Sequence, residues 1–351
     1  MKAQPIPSRL DPLLVRRIWG RLWLDPLYTA NQELAEPVGE VWLTGEDCRF
    51  ADGPYAGKPL GQAWQEMSGD WKGSRLKGAD SFPLLAKFLF PDLALSIQVH
   101  PDDEYAARHE AEAGGLGKTE MWYAVAAEAG AEVLVGFNPG VDKKTVRRSI
   151  VDDTIESCLQ RLPVTAGDTI YVPAGTAHAI GPGQIFCEIQ EYSDLTYRLF
   201  DYHRTDAKGN RRELHVEKAL DVIRFDVPGA GKTQPLVQNV GPIELSYLAA
   251  CPYFATERWR FLEPIELASS EDHFDLLIFL AGRGEIVVGG DRREFQHGEA
   301  WFVPAKFPGF RLEPATDVTV LRAYVPDIDT LARSLLREGA TRDQLSGFLF
   351  R

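Results

Sequence analysis

GDTIYVPAGTAH, residues 167–178, reads as a short strand, a tight turn and the first residue of a returning strand. Thr169 to Val172 is the β-favouring apolar run, Gly167 and Asp168 punctuate its start, and Pro173 and Gly175 make the turn. His178 therefore opens the return strand and points into the space the strands enclose. Upstream, ALSIQVH at residues 94–100 alternates polar and apolar side chains. Successive strand residues face opposite ways, so Ser96, Gln98 and His100 share one face and Leu95, Ile97 and Val99 the other. Lys118 and Glu120, two residues apart, share a face in the same way. Polar residues spaced like this on apolar strands look like a metal site inside a small β-barrel.

Short strand patterns continue on both sides, at residues 40–43, 84–90, 121–126, 133–137 and 185–190, then at 253–261, 274–280, 285–288, 300–303 and 318–324. Helical insertions interrupt them. Asp102 caps a helix that ends at Gly114 and Gly115, and Val146, Ile150, Val151, Ile155 and Leu159 predict a second helix over about 142–161, closed by Pro163. A closing helix is expected over about 327–338. Gly and Pro replace periodicity between Val227 and Pro235, which places the domain boundary near residue 230, with domains 1–230 and 231–351.

The second domain echoes the first. GDTIYVPA at 167–174 aligns without gaps onto GEAWFVPA at 298–305, and AEVLVG at 131–136 resembles GEIVVG at 284–289. Carried forward, the alignment sets Gly309 opposite His178, so a duplicated second copy would lack the ligands.

With 351 residues, 44% hydrophobic and 25% charged, the chain is long enough for two soluble domains with real cores. Thirty-one Gly and 23 Pro, mostly at the ends of apolar runs, suit a strand-rich fold. A net charge of -13, from 38 basic and 51 acidic residues, opposes binding to nucleic acid or an anionic membrane, and a phosphorylated substrate would need a local basic patch. The N-terminal residues hold no apolar core of signal-peptide length, and no window approaches the ~20 apolar residues of a spanning helix. A cytoplasmic protein with no obligate protein partner is the expectation. Cys48, Cys158, Cys187 and Cys251 form no CxxC pair and read as buried thiols.

Gly167, Pro173, Gly175 and His178 fit Gly-x5-Pro-x-Gly-x2-His, which resembles the second motif of the cupin superfamily. Cupins normally pair it with His-x-His and a nearby Glu. Here Gln98 takes the first His place, and a long insertion separates His100 from Glu120. LSIQVHPDD from Leu95, GKTEMWY from Gly117, VPAGTAHA from Val172 and EIQEYSDLTYRLFDYHR from Glu188 together resemble type I mannose-6-phosphate isomerases. RIWG at 17–20 and GEVW at 39–42 extend the likeness toward the N-terminus. The resemblance implies an all-β chain of two cupin (jelly-roll) barrels with small helical insertions, the first catalytic and the second without metal ligands.

It further implies one zinc ion per chain, held by His100, Glu120 and His178 with Gln98 as a further ligand. The donor types suit zinc with an open position, and equally iron or cobalt. Arg198, Lys118 and Glu188 are the catalytic candidates, and Ser96, Lys87 and Arg204 match positions that look like phosphate contacts. The cations Lys87, Lys118, Arg198 and Arg204 would supply the basic patch that a sugar phosphate requires. The implied reaction moves hydrogen between C1 and C2 of an open-chain sugar phosphate through an enediolate. Glu188, Lys118 and a metal-bound hydroxide all suit the proton transfer. An iron-dependent cupin dioxygenase shares the metal triad but has no use for the four cations; a non-enzymatic sugar-binding bicupin would tolerate loss of His178. His109, His203, His215, His273 and His297 fall outside ligand spacing, and Glu191, Asp194 and Asp201 read as orienting neighbours or solvated strand ends.

Overall fold

The computed structural model describes residues 4–29, 33–205 and 208–351. Its first half runs through β1 (Ser8–Asp11), β2 (Leu13–Arg21), β3 (Val38–Trp42), β4 (Arg49–Phe50), β5 (Leu84–Leu89), β6 (Ile97–Val99) and β7 (Glu120–Ala127). It continues with β8 (Glu132–Phe137), β9 (Leu159–Pro163), β10 (Thr169–Val172), β11 (His178–Ile180), β12 (Gln184–Glu191) and β13 (Tyr197–Phe200). The fold is mostly strands, in several antiparallel sheets. No helix among the described residues is long and apolar enough to cross a membrane.

Two sheets build the first half. One has the order Gly231–Lys232, β10, β7, β12, β5, β3, β2, and the other β13, β6, β11, β8, β9. Leu89, Trp122, Ile170 and Phe186 from the first meet Val133, Val135 and Ile180 from the second in one apolar cluster. The opposite face of the seven-stranded sheet is covered too. Ala86, Phe88, Met121, Cys187 and Ile189 pack with Leu276, Ile278, Phe302 and Leu321 of the second half. With both faces covered, β5 and β12 are buried at every position.

An eight-stranded and a four-stranded sheet build the second half. The two halves exchange short strands: β1 pairs with Ala300–Val303 and β4 pairs with β1, whereas Gly231–Lys232, in the expected linker, pairs with β10. The repeat seen in sequence has matching pairings. Val172 lies opposite Glu120, and Val303 lies opposite Asp275. Glu188 is opposite Trp122 and Lys87, and Arg322 is opposite Leu277 and Glu257. Asp275 is thus the register counterpart of Glu120, Arg322 of Glu188 and Glu257 of Lys87, with the Lys87–Glu188 polarity reversed. Arg322 bonds Glu257 at 3.3 Å and lies 3.0 Å from Asp275, closing this second cluster on itself. Beside it, Leu277, Phe279, Trp301 and Val320 fill the space between these two sheets with apolar side chains.

The helix expected over 142–161 is shorter. Lys143–Val151 is helical, a 3-10 turn follows at Ile155–Cys158, and Leu159–Pro163 is β9, paired with β8. Asp153 adopts φ 55°, which breaks the helical run, and the apolar spacing of Ile155 and Leu159 instead serves the core beside β8. The closing helix spans Ile328–Arg337. Leu13–Arg21, Leu236–Val240 and Ile243–Ala250 are strands beyond those read from the sequence.

Candidate metal centre and active-site cavity

The polar residues of the first half converge between its two sheets. His178 opens β11 directly opposite Gln98, which on its other side lies opposite Arg198. Across the gap, Lys87 and Glu188 are neighbours on β5 and β12, and Glu120 begins β7. Alternation that sends Phe88 and Cys187 into the shared core sends Lys87 and Glu188 to this side.

His100 Nδ1 lies 2.6 Å from the Leu195 carbonyl oxygen, and His178 Nδ1 lies 2.9 Å from that of Thr176. A carbonyl only accepts, so each Nδ1 carries the hydrogen and each Nε2 keeps its lone pair. His100 Nε2 is 3.6 Å from Glu120 Oε2, and His178 Nε2 is 3.3 Å from Glu120 Oε1. All three side chains are buried, and their ligand atoms lie within 4.8 Å of one another. Burial, with Lys118 beside them, holds both imidazoles below their ordinary pKa, His178 at about 4. Neutral imidazoles oriented through Nδ1, together with a carboxylate, are the donor set a divalent metal uses. Among the described residues no other group of three such side chains comes together.

An ammonium group already stands beside these three side chains. Lys118 Nζ contacts Glu120 Oε2 and lies 3.2 Å from His100 Nε2 and 3.1 Å from Glu188 Oε1. Burial works to lower the Lys118 pKa, but Glu120 and Glu188 outweigh it and hold the ammonium charged. For Glu188 burial prevails over Lys118 and Lys87, and the carboxyl rises to about 7. Gln98 donates Nε2–H to His178 at 3.2 Å, while its Oε1 accepts from Ser96 Oγ at 3.3 Å. Only that oxygen could serve a metal.

A cavity of about 330 Å³ reaches this cluster, and Lys87, Ser96, Gln98, Lys118, Glu120, Glu188 and Arg198 all line it. His100 and His178 sit just behind, against Glu120. Arg204 does not line the cavity. Its guanidinium bonds Asp201 at 2.5 Å and the Ala94 carbonyl, which uses its donors away from the cavity. Arg212, absent from the sequence reading, lines the wall instead, held by the same Asp201. Glu40 and Arg17 were also missed as site residues. Glu40 accepts from Arg17 at 2.8 and 3.2 Å and lies 3.8 Å from Lys87. The GEVW and RIWG stretches carry both residues and were the only signal for them.

Comparison with known proteins agrees with this geometry. Residues 9–129 match the model of the phosphomannose isomerase type I catalytic domain, and residues 243–324 that of the mannose-6-phosphate isomerase cupin domain. A mannose-6-phosphate isomerase of Bacillus subtilis (strain 168) is 35% identical over 317 residues, 88% of this chain and 96% of the relative. One from Streptococcus mutans is 33% identical over 305 residues, 85% of this chain and 92% of the relative. The crystal structure of the mannose 6-phosphate isomerase from Bacillus subtilis superposes with a TM-score of 0.81 at 31% identity, covering 91% of this chain and 99% of that one. A phosphomannose isomerase variant from Salmonella typhimurium shares the fold, with a TM-score of 0.72 at 14% identity over 91% of this chain and 99% of that one. With over nine-tenths of such relatives spanned at about one-third identity, this chain belongs to the type I mannose-6-phosphate isomerase family.

Proposed function

We propose that this enzyme interconverts mannose 6-phosphate and fructose 6-phosphate through an enediolate, with zinc as its metal. The observation that carries the reading is the convergence of the His100 and His178 Nε2 lone pairs on Glu120, next to the Lys118–Glu188 pair on the cavity wall. His100, Glu120 and His178, with the Gln98 oxygen, would hold one zinc per chain. When bound, zinc supplies Lewis acidity to the two reacting sugar oxygens.

The remaining roles belong to the chain. Glu188 takes the C2 proton of the aldose and returns it to C1, while the hydroxyl proton passes from O2 to O1, so the change is a pure isomerisation. Lys118, an ammonium between two carboxylates, is read as the group that lays positive charge where the oxygen turns anionic. Arg198 adds a second positive group from the opposite sheet. The buried setting of Glu188 and Lys118 keeps bulk water from competing for the proton. Ser96 and Lys87 line the same cavity and are read as substrate contacts. In architecture, the seven- and five-stranded sheets, which include the exchanged strand Gly231–Lys232, are read as the walls of a catalytic cupin barrel of the domain 1–230. The eight- and four-stranded sheets, which include β1 and β4 from the first domain, are read as those of a ligand-free barrel of the domain 231–351.

A coupled assay of fructose 6-phosphate formation, with and without chelator and with metal analysis of the same sample, tests this. Chelator-sensitive turnover by zinc-loaded protein is expected. Stoichiometric metal with no isomerisation of either sugar phosphate overturns it. Glu188→Gln should also stop transfer of a deuterium label from C2 of the aldose to C1 of the ketose while metal content holds; undiminished transfer removes Glu188 from the proton transfer.

A further inference from the structure

The cations around the cavity differ in how fully carboxylates neutralise them. Lys87 lies between Glu40 and Glu188, Arg17 is paired with Glu40, and Lys118 sits between Glu120 and Glu188. Arg198 is different. Among the described residues it has no ion pair, and its buried Nε has no hydrogen-bond partner. It is also tightly positioned, because its backbone N–H donates to His215 Nδ1 at 3.2 Å and its carbonyl accepts from the His215 N–H at 2.8 Å.

The segment that returns to make those contacts carries Arg212, three residues before His215. Asp201 grips Arg212 along one edge, with Nε donating to Oδ2 at 2.7 Å and Nη2 to Oδ1. A guanidinium has a second edge, and Nη1 has no acceptor among the described residues. Arg204 shares the same carboxylate from outside the cavity, so one Asp201 charge is divided between two arginines. Arg198 and Arg212 therefore form an under-neutralised positive end, whereas the Glu120–Glu188 end is balanced. Burial depresses the Arg198 pKa and the neighbouring Arg212 adds to that, against the opposing pull of Asp201 and Asp194.

We infer that Arg212 is a substrate-specificity residue, the guanidinium that receives the dianionic phosphate of the sugar, and that Asp201 is the positioning residue that aims it. This rests on the proposed isomerase reading and adds to it the residue that selects phosphorylated over plain sugars. Two donors on a preset edge suit a phosphate, since the fork geometry of a guanidinium matches two of its oxygens.

The test compares wild type, Arg212→Ala, Arg212→Lys and Arg204→Ala, using mannose 6-phosphate as substrate and inorganic phosphate as competitive inhibitor, with thermal melts to confirm folding. Arg212→Ala should raise both KM and the phosphate inhibition constant about 10- to 100-fold, the scale of one or two charged hydrogen bonds, with kcat within about 3-fold. Arg212→Lys should recover only part of that, because a lysine keeps the charge without the fork. Unchanged constants in folded Arg212→Ala, or a rise confined to Arg204→Ala, overturn the inference while wild-type turnover leaves the isomerase reading standing. Absent wild-type turnover with phosphate still bound through Arg212 overturns the isomerase reading alone.

Discussion

Glu40 accepts both Nε–H and Nη2–H from Arg17, at 2.8 and 3.2 Å, a two-pronged bond joining β2 to β3 at the cavity wall. Trp42 Nε1 adds a third hydrogen bond at 2.6 Å. Burial alone would raise the Glu40 pKa, but Lys87 and Arg17 outweigh it and hold the carboxyl at about 2.

Glu40 should therefore carry part of the acid sensitivity of the fold. A carboxyl whose folded pKa lies below its unfolded value stabilises above the unfolded pKa and loses that contribution as pH falls through the folded one. The window here runs from 4.5 down to about 2. Between pH 6 and pH 3 wild type should lose ~2 kcal/mol more stability than Glu40→Gln, read from urea unfolding. Parallel losses in the two proteins would remove Glu40 from the acid response.

His178→Ala and Glu120→Gln should each lower bound metal well below one ion per chain, since each removes one of three converging ligands. Elemental analysis of purified protein reads this directly. Full metal content in both variants would place the ion elsewhere.

Arg198→Ala should cut turnover severely, about 100-fold or more on the scale of losing a group that stabilises developing charge, while metal content stays intact. Arg198 makes no contact with the ligand trio; its strand neighbour is Gln98. Unchanged kcat sinks its role in turnover.

Arg322→Met should destabilise the chain by ~3–5 kcal/mol, because Glu257 and Asp275 would be left buried without their shared cation. The specific activity of the folded protein should match wild type, and denaturant midpoints with an activity assay check both. A variant as stable as wild type would show that the cluster contributes little to the fold.

The residues that were legible in the sequence are those whose meaning is local. Alternation from Ser96 to His100 and the Pro173–Gly175 turn before His178 are short-range patterns, and both bring their histidines beside Glu120. Arg204 was misplaced because two arginines, eight residues apart, compete for Asp201, and only the course of the intervening turn decides which one faces the cavity. The Arg17–Glu40 bond joins residues 23 apart through the β2–β3 pairing, with no spacing rule to announce it. The helix overrun beyond Val151 has a similar origin, since Ile155 and Leu159 keep helical spacing while the backbone at Asp153 has already turned away. Charge reversal between Lys87–Glu188 and Glu257–Arg322 emerges only when strand register is compared.

Lys87 and Glu188 stand on one side of a peptide layer whose other side, through Ala86, Phe88, Cys187 and Ile189, is pressed against Leu276, Phe302 and Leu321. This cavity wall is one layer thick and has no private foundation. A cavity opened behind it, by trimming Phe302 for instance, would give Lys87 and Glu188 room to recoil together. The second half of the chain thus acts as a buttress, and the stiffness of its core limits how far the charges in front can drift apart.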